Sequence, residues 1–230
     1  MAKNKEVRMT FNPKKMLLSR RSPFSMQEAY KTLRTNVAFS LPGTDCKCIG
    51  IVSANRGDGK SSVAANLALS FGQIKKKVLL IDCDLRIPTL ASKLEIESQP
   101  GLSNYLIGEI KTIPIQHIDG RNIDVIAAGN IPPEPTTLIE SEHMFSLIEE
   151  LKESYDYIII DFPPISIVSD AALLSGLIDG YLMVVSHQNS ELSKINEALR
   201  QMRFADAKMI GFVYNKKNYD KSVYKKKYYR

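Results

Sequence analysis

The sequence contains no apolar run approaching the roughly 18 residues that a membrane-crossing helix needs. Its opening stretch, MAKNKEVRMTFNPKKMLLSRRS, is basic but has no continuous apolar region, which excludes a secretory signal. Cysteine is scarce: Cys46, Cys48 and Cys83 make no disulfide framework. Cys46 and Cys48 form a C-x-C beside a predicted strand, but no second pair and no suitably spaced histidine accompanies them, so all three read as small buried hydrophobes of a reduced, cytosolic protein. The three histidines, His117, His143 and His187, lie near no candidate nucleophile and at no metal-ligand spacing, and read as structural. Internal repeats are absent, and so is any base-stacking module, so no nucleic-acid partner is expected.

What remains is ordinary globular material: 230 residues, 44% hydrophobic and 24% charged, enough for one large α/β domain or two small ones. The net charge of +6 is unevenly placed. Residues 1–21 carry seven Lys/Arg against Glu6, and residues 216–230 carry seven against Asp220, a net of +6 at each end, so 22–215 must be −6. Basic ends suit acidic partners such as anionic lipid, nucleic acid or an acidic protein surface, or serve solubility alone.

Along the chain, strands and helices alternate. Met26, Ala29, Tyr30, Leu33 and Val37 recur at helical spacing in Ser25–Leu41, with Ser25 and Glu28 matching a capping box. CIGIVSA, KVLLIDCD, IDVIAA, YDYIIIDFPP, GYLMVVS and KMIGFVYN read as strands. Helices are predicted over about 60–71 and 142–153, and in SDAALLSGLI and ELSKINEALRQMRF. The strands are continuously apolar, the mark of a parallel sheet covered on both faces. The reading is an α/β, doubly wound, mostly parallel sheet with helices on both faces. Its parts are a basic arm (1–22), a main domain (23–215) and a Lys/Tyr-rich tail (216–230). Tyr30, Tyr105, Tyr155, Tyr157, Tyr181 and Tyr214 fall inside predicted elements as packing residues.

The sharpest signal is ANRGDGKSS, Ala54 to Ser62, which fits A-x-x-x-x-G-K-S with Ala in the first Gly position. Backbone N–H groups of Asn55, Arg56, Gly57, Asp58, Gly59, Lys60, Ser61 and Ser62 must wrap phosphates, and Gly57 and Gly59 keep side chains out of the way. In this motif Lys60 reaches the β/γ oxygens, the Ser61 hydroxyl binds Mg²⁺, and the following helix turns its positive end to the anion. YIIIDFPP places Asp161 at a strand end, where a Mg²⁺ water shell needs a carboxylate. VLLIDCDLRIP adds Asp82 and Asp84, which as i and i+2 on an extended strand project from one side.

The combination of a P-loop, LLIDCDLR, IIIDFPP and the closing NYDKSVYKKKYYR resembles the bacterial tyrosine kinases (BY-kinases) of capsular and exopolysaccharide synthesis. EAYKTLRTN, QPGLSNYLIGE, GNIPPEP and GFVYNK are also similar to pieces of that family, so the resemblance runs from about Phe24 to the end. It implies ATP and Mg²⁺ as cofactors, Lys60 and the loop amides on the phosphates, and Ser61, Asp84 and Asp161 on the metal. Asp82 would orient or deprotonate the attacking phenol, whose pKa is near 10. Arg86 would brace the aspartate turn or touch nucleotide; Asn215 would read the adenine edge or cap a loop. The family's E-x-x-R-x-x-R docking helix falls on Glu28, Lys31 and Arg34, with Lys replacing the central Arg and losing its planar fork. The resemblance further implies phosphorylation of Tyr219, Tyr224, Tyr228 and Tyr229 between copies of a ring-like homo-oligomer. A separate membrane-spanning activator would hold the kinase at the inner face of the membrane. A MinD/ParA-type ATPase switch is the alternative; its extra early P-loop lysine is Asn55 here, beside Arg56.

Overall fold

The computed structural model describes residues 17–43, 45–167 and 169–216. The tail tyrosines Tyr219, Tyr224, Tyr228 and Tyr229, and most of the basic arm, lie outside the described residues.

Seven strands form one sheet in the order β3-β4-β2-β5-β1-β6-β7. They are β1 (Lys47–Ser53), β2 (Val78–Asp82), β3 (Ile115–Ile118), β4 (Ile123–Ile126), β5 (Tyr157–Asp161), β6 (Gly180–Ser186) and β7 (Met209–Asn215). All neighbouring pairs are parallel except the edge pair β3–β4. The longer helices are α1 (Phe24–Ser40), α2 (Lys60–Gly72), α6 (Glu142–Lys152) and α8 (Leu192–Phe204). Short helices are α3 (Leu90–Leu94), α4 (Leu102–Leu106), α5 (Pro135–Ile139) and α7 (Asp170–Leu173).

Alternate residues of the apolar strands serve two cores. Ile158 and Ile160 of β5 join Leu79, Ile81, Leu147 and Leu151 on the α6 side. Ile159 joins Leu80, Ile49, Ile51 and the α2 residues Val63, Leu67 and Phe71 on the other. Burial on both faces is why these strands carry no polar alternation. At Gly50 of β1 a Cβ would stand 2.4 Å from the Tyr181 ring, so glycine there lets the ring lie on the sheet. Tyr181 is fully buried and its hydroxyl donates to Ala171 O at 2.6 Å.

Three expectations change. The capping box is not formed: α1 starts at Phe24 with Pro23 as its cap, and Pro23 O accepts from Met26 and Gln27 N at 2.9 and 3.1 Å. Ser25 is therefore already inside the helix, and Glu28 pairs with Lys31 at 3.4 Å instead. Ala29 is exposed, while Met26, Tyr30, Leu33 and Val37 face the α2 core. Tyr214 is 54% exposed rather than packed, with its hydroxyl against the His187 ring. Ahead of α1, Leu18 is buried and its N–H donates to Asn66 Oδ1 at 2.7 Å.

Candidate functional site: a phosphate loop above three carboxylates

β1 lies in the middle of the sheet, between β5 and β6, and the loop at its carboxyl end runs into α2. A crevice at the carboxyl end of such strands is where open α/β sheets bind ligands. Gly57 and Gly59 have φ of 85° and 98°, a left-handed region that side chains rarely adopt. Gly59 caps α2, whose first turn begins at Lys60, so the loop amides and the helix N-terminus converge. The loop is closed from inside: Asp58 Oδ2 accepts from Asn55 N at 3.1 Å and Ser53 Oγ donates to Asn55 O at 2.8 Å. Asp58 is thus a buried strut beneath the loop.

A cleft of about 570 Å³ opens over it, lined by Arg56, Gly57, Gly59, Lys60, Ser61, Ser62, Asp84 and Asn215 among others. Asn55, Asp58, Asp82 and Asp161 do not line it. Lys60 is 8% exposed, with Nζ 2.8 Å from Asp84 Oδ2 and 3.7 Å from Asp161 Oδ1. Burial alone would lower its pKa, but the charges of Asp161, Asp84 and Asp82 outweigh that and raise it, so the ammonium stays protonated. Asp161 is fully buried, and among the described residues neither of its oxygens has a hydrogen-bond partner of normal geometry. Burial raises its pKa against the pull of Lys60.

Asp82 and Asp84 do not act as a matched pair on one strand face. β2 ends at Asp82, and Asp84 belongs to the turn beyond, where its Oδ1 accepts from Ile87 N at 3.1 Å. Only Asp84 reaches the cleft. Asp82 lies fully buried, accepting from Leu90 N at 3.1 Å, Thr89 N at 3.3 Å and Asp84 N at 3.2 Å. Burial, then the nearby Asp161 charge, pushes its pKa up to about 7, against the hydrogen bond from Leu90. Arg86 is a brace: Nη1 meets Asp170 Oδ2 at 2.6 Å and Nη2 donates to Thr136 Oγ1 at 2.8 Å. Thr136 in turn donates to Asp170 Oδ1 at 3.0 Å.

Asn215 Nδ2 donates to Asp58 O at 2.9 Å, and Lys216 Nζ donates to Gly57 O at 2.6 Å. The end of β7 is therefore clasped onto the loop. A Cβ on Gly59 would meet Asn215 Nδ2 at 2.2 Å. Lys216, Lys93, Tyr30 and Met26 also line the cleft; the sequence read Met26 and Tyr30 as helix packing and Lys216 as part of the basic tail, and gave none of the four a site role. No nucleotide-binding motif marks them; the packing of α1 and α3 and the β7 exit bring them there. Glu28, Lys31 and Arg34 lie outside the cleft. Arg34 Nη1 donates to Ser70 O and, at 3.3 Å, to Ser70 Oγ, tying α1 to α2 of the same chain.

Fold and loop together define a P-loop nucleotide-binding protein. The ParA family, described as NUBPL iron-transfer P-loop NTPases, matches residues 46–229. Tyrosine-protein kinase YwqD of Bacillus subtilis is 36% identical over 223 residues, covering 96% of this chain and 92% of its own length. Tyrosine-protein kinase CpsD of Streptococcus agalactiae is 35% identical, covering 86% of this chain and 85% of its own. The crystal structure of the chimerical protein CapA2B2 superposes with a TM-score of 0.83 at 31% identity, covering 91% of this chain and 92% of that one. The chain belongs to the bacterial tyrosine-protein kinases, which sets aside the ATPase switch as its activity.

Proposed function

We propose that the cleft binds ATP with Mg²⁺ and transfers the γ-phosphoryl group to tyrosines in the C-terminal cluster of a second copy, as part of the control of capsular or exopolysaccharide synthesis. The observation that carries this is the placement of Lys60, a buried cation at the head of α2 set between Asp84 and Asp161. The residues fit a magnesium ion: Asp161 is buried with, among the described residues, only the long 3.7 Å ion pair to Lys60 on Oδ1, Asp84 faces the cleft, and Ser61 lies in the first turn of α2. No group of three or more His, Cys, Asp or Glu among the described residues is placed to enclose a metal, in keeping with an ion held mainly by phosphate, hydroxyl and water. Bound there through Ser61, and through waters on Asp84 and Asp161, Mg²⁺ would neutralise charge on the β- and γ-phosphates.

Lys60 would exchange part of its contact with Asp84 for the phosphate oxygens, and the amides from Arg56 to Ser62 would hold the rest. The phenolic oxygen attacks the γ-phosphorus, the bond to the β–γ bridging oxygen breaks, and ADP departs. The phenol proton goes to an ionised carboxylate; Asp82 serves if a local shift of the turn at residues 83–89 uncovers it, and Asp84 already faces the cleft. Loop amides and Lys60 supply most of the rate by position and charge.

The chain ends its described part beside the loop, at Lys216, three residues before Tyr219. We infer that the tail from 216 to 230 is the substrate, that Glu28 and Lys31 on the open side of α1 contact the neighbouring copy, and that a membrane-spanning partner recruits and activates the assembly. Labelled ATP tests the chemistry. Tyrosine label should appear with the wild type and partner and fall roughly 100- to 1,000-fold in Lys60→Met; label that persists in that variant would sink the reading.

A further inference from the structure

Away from the nucleotide cleft, at the opposite end of α2, lies a second cleft of about 740 Å³. It is formed by the entering segment at Leu18–Arg20, the end of α2 from Leu69 to Lys75, and the β3–β4 turn from His117 to Asn122. These three pieces are fastened together. Leu18 N donates to Asn66 Oδ1 at 2.7 Å, and Asn122 Nδ2 donates to Lys76 O at 2.8 Å. Gly72 packs so closely on the turn that a Cβ there would stand 2.5 Å from Arg121 O.

The lining carries Arg20, Lys75, Arg121 and His117 and no carboxylate. His117 is bonded to Asp124 at 2.6 Å, and Asp119 is exposed on the same turn. The side chains of Arg20, Lys75 and Arg121 make no ion pair or hydrogen bond with any described residue, and Arg121 Nη1 is a buried donor without a partner. Cations at a helix C-terminus offset its dipole, but Arg20 comes from another segment and lies beyond that need. Ile74, 50% exposed, precedes Lys75, Lys76 and Lys77 in the chain, of which Lys76 is paired with Asp156 at 2.8 Å. In sequence, the residues before Leu17 carry Lys3, Lys5, Arg8, Lys14 and Lys15 against Glu6.

We propose that this end of the molecule docks directly on an anionic lipid surface, with a headgroup phosphate seated among Arg20, Lys75 and Arg121. The contact needs no protein partner. The cations Arg20, Lys75 and Arg121 on one cleft, and an exposed isoleucine next to Lys75, match the charge and polarity of a headgroup layer. The nucleotide cleft lies at the other end of α2, so docking leaves the P-loop and the tail exit uncovered.

Flotation of the purified full chain, with no membrane protein present, tests this. Vesicles of phosphatidylcholine alone are compared with vesicles that also contain phosphatidylglycerol, over a salt series. The wild type should float only with the anionic vesicles and be released as salt rises. Each cation near the surface is worth about fivefold in partition, so the variant Arg20→Gln, Lys75→Gln, Arg121→Gln should lose on the order of 100-fold. Its thermal midpoint and its kinase activity in solution should stay at the wild-type level, which separates lost docking from lost folding. A triple variant that floats like the wild type would assign binding to the arm and overturn the proposal. So would a wild type that ignores anionic vesicles, one that binds neutral ones equally, or one that binds duplex DNA but no vesicle. Stabilisation by inorganic phosphate without vesicle capture would assign the cleft to a free anion, which also overturns docking.

Discussion

At the scale of single residues the site depends on how three carboxylates share one ammonium. Asp82 and Asp161 are both held above their ordinary pKa by burial, Asp82 to about 7. An unfolded aspartate titrates near 3.9, so between about pH 4 and pH 7 the folded chain binds more protons than the unfolded one. Stability from these groups is complete below the unfolded value and is lost as pH rises through the folded value. Asp82→Asn removes part of that slope. The difference in thermal midpoint between pH 5 and pH 8 should shrink in this variant of the nucleotide-free protein; an unchanged difference would show that Asp82 is not the titrating group. If Asp82 takes the phenol proton it must be ionised, so kcat/KM, which reports the free enzyme, should rise through about pH 7. The same residue marks a limit of sequence reading. Its identity and motif were legible, but its burial was not, because only the folded turn brings Thr89 and Leu90 N–H groups onto it.

At the scale of elements, the continuous apolar strands and the long amphipathic helices could be read directly, since burial on two faces leaves a strong pattern. Several short elements could not. α3, α4 and α5 each span five residues, too few for helical periodicity to stand out, and β3 is a four-residue edge strand. The capping box failed for a related reason: Ser25 and Glu28 have the right spacing, but Pro23 fixes the helix start upstream. Short helices nonetheless hold the site, α5 unread and α7 read within SDAALLSGLI. Arg86 after β2 is clamped by Asp170 of α7 and Thr136 of α5, and Asp170 is fully buried. Breaking a buried ion pair by removing one partner costs about 3 kcal/mol. Asp170→Asn should therefore lower the unfolding free energy from urea titration by about that much and disorder the Asp84 turn; a value within error of wild type would deny the brace. The clasp between β7 and the P-loop predicts that Gly59→Ala, strained at φ 98° and pressed onto the Asn215 amide, binds nucleotide at least about tenfold more weakly while the rest of the fold melts normally. Titration of a fluorescent ATP analogue reads this.

At the scale of the whole molecule, charge is segregated: basic ends flank a body of net −6. Each phosphate adds about −1.5 to −2, so four on the tail would add roughly −6 to −8 and cancel or reverse its +6. Copies joined through an unmodified tail should separate once it is modified. Replacing Tyr219, Tyr224, Tyr228 and Tyr229 together by Glu should reduce oligomer mass in sedimentation, and an unaltered mass would remove the charge switch from the account. The central claim is that one copy's P-loop modifies another copy's tail. A mixing experiment tests it most directly. Lys60→Met with an intact tail is combined with a copy that keeps Lys60 but carries Phe at all four tail positions, in the presence of ATP, Mg²⁺ and the activating partner. The account predicts phosphotyrosine on the Lys60→Met chain in the mixture and on neither chain alone. A mixture without phosphotyrosine, beside a wild-type control that labels itself, would contradict it.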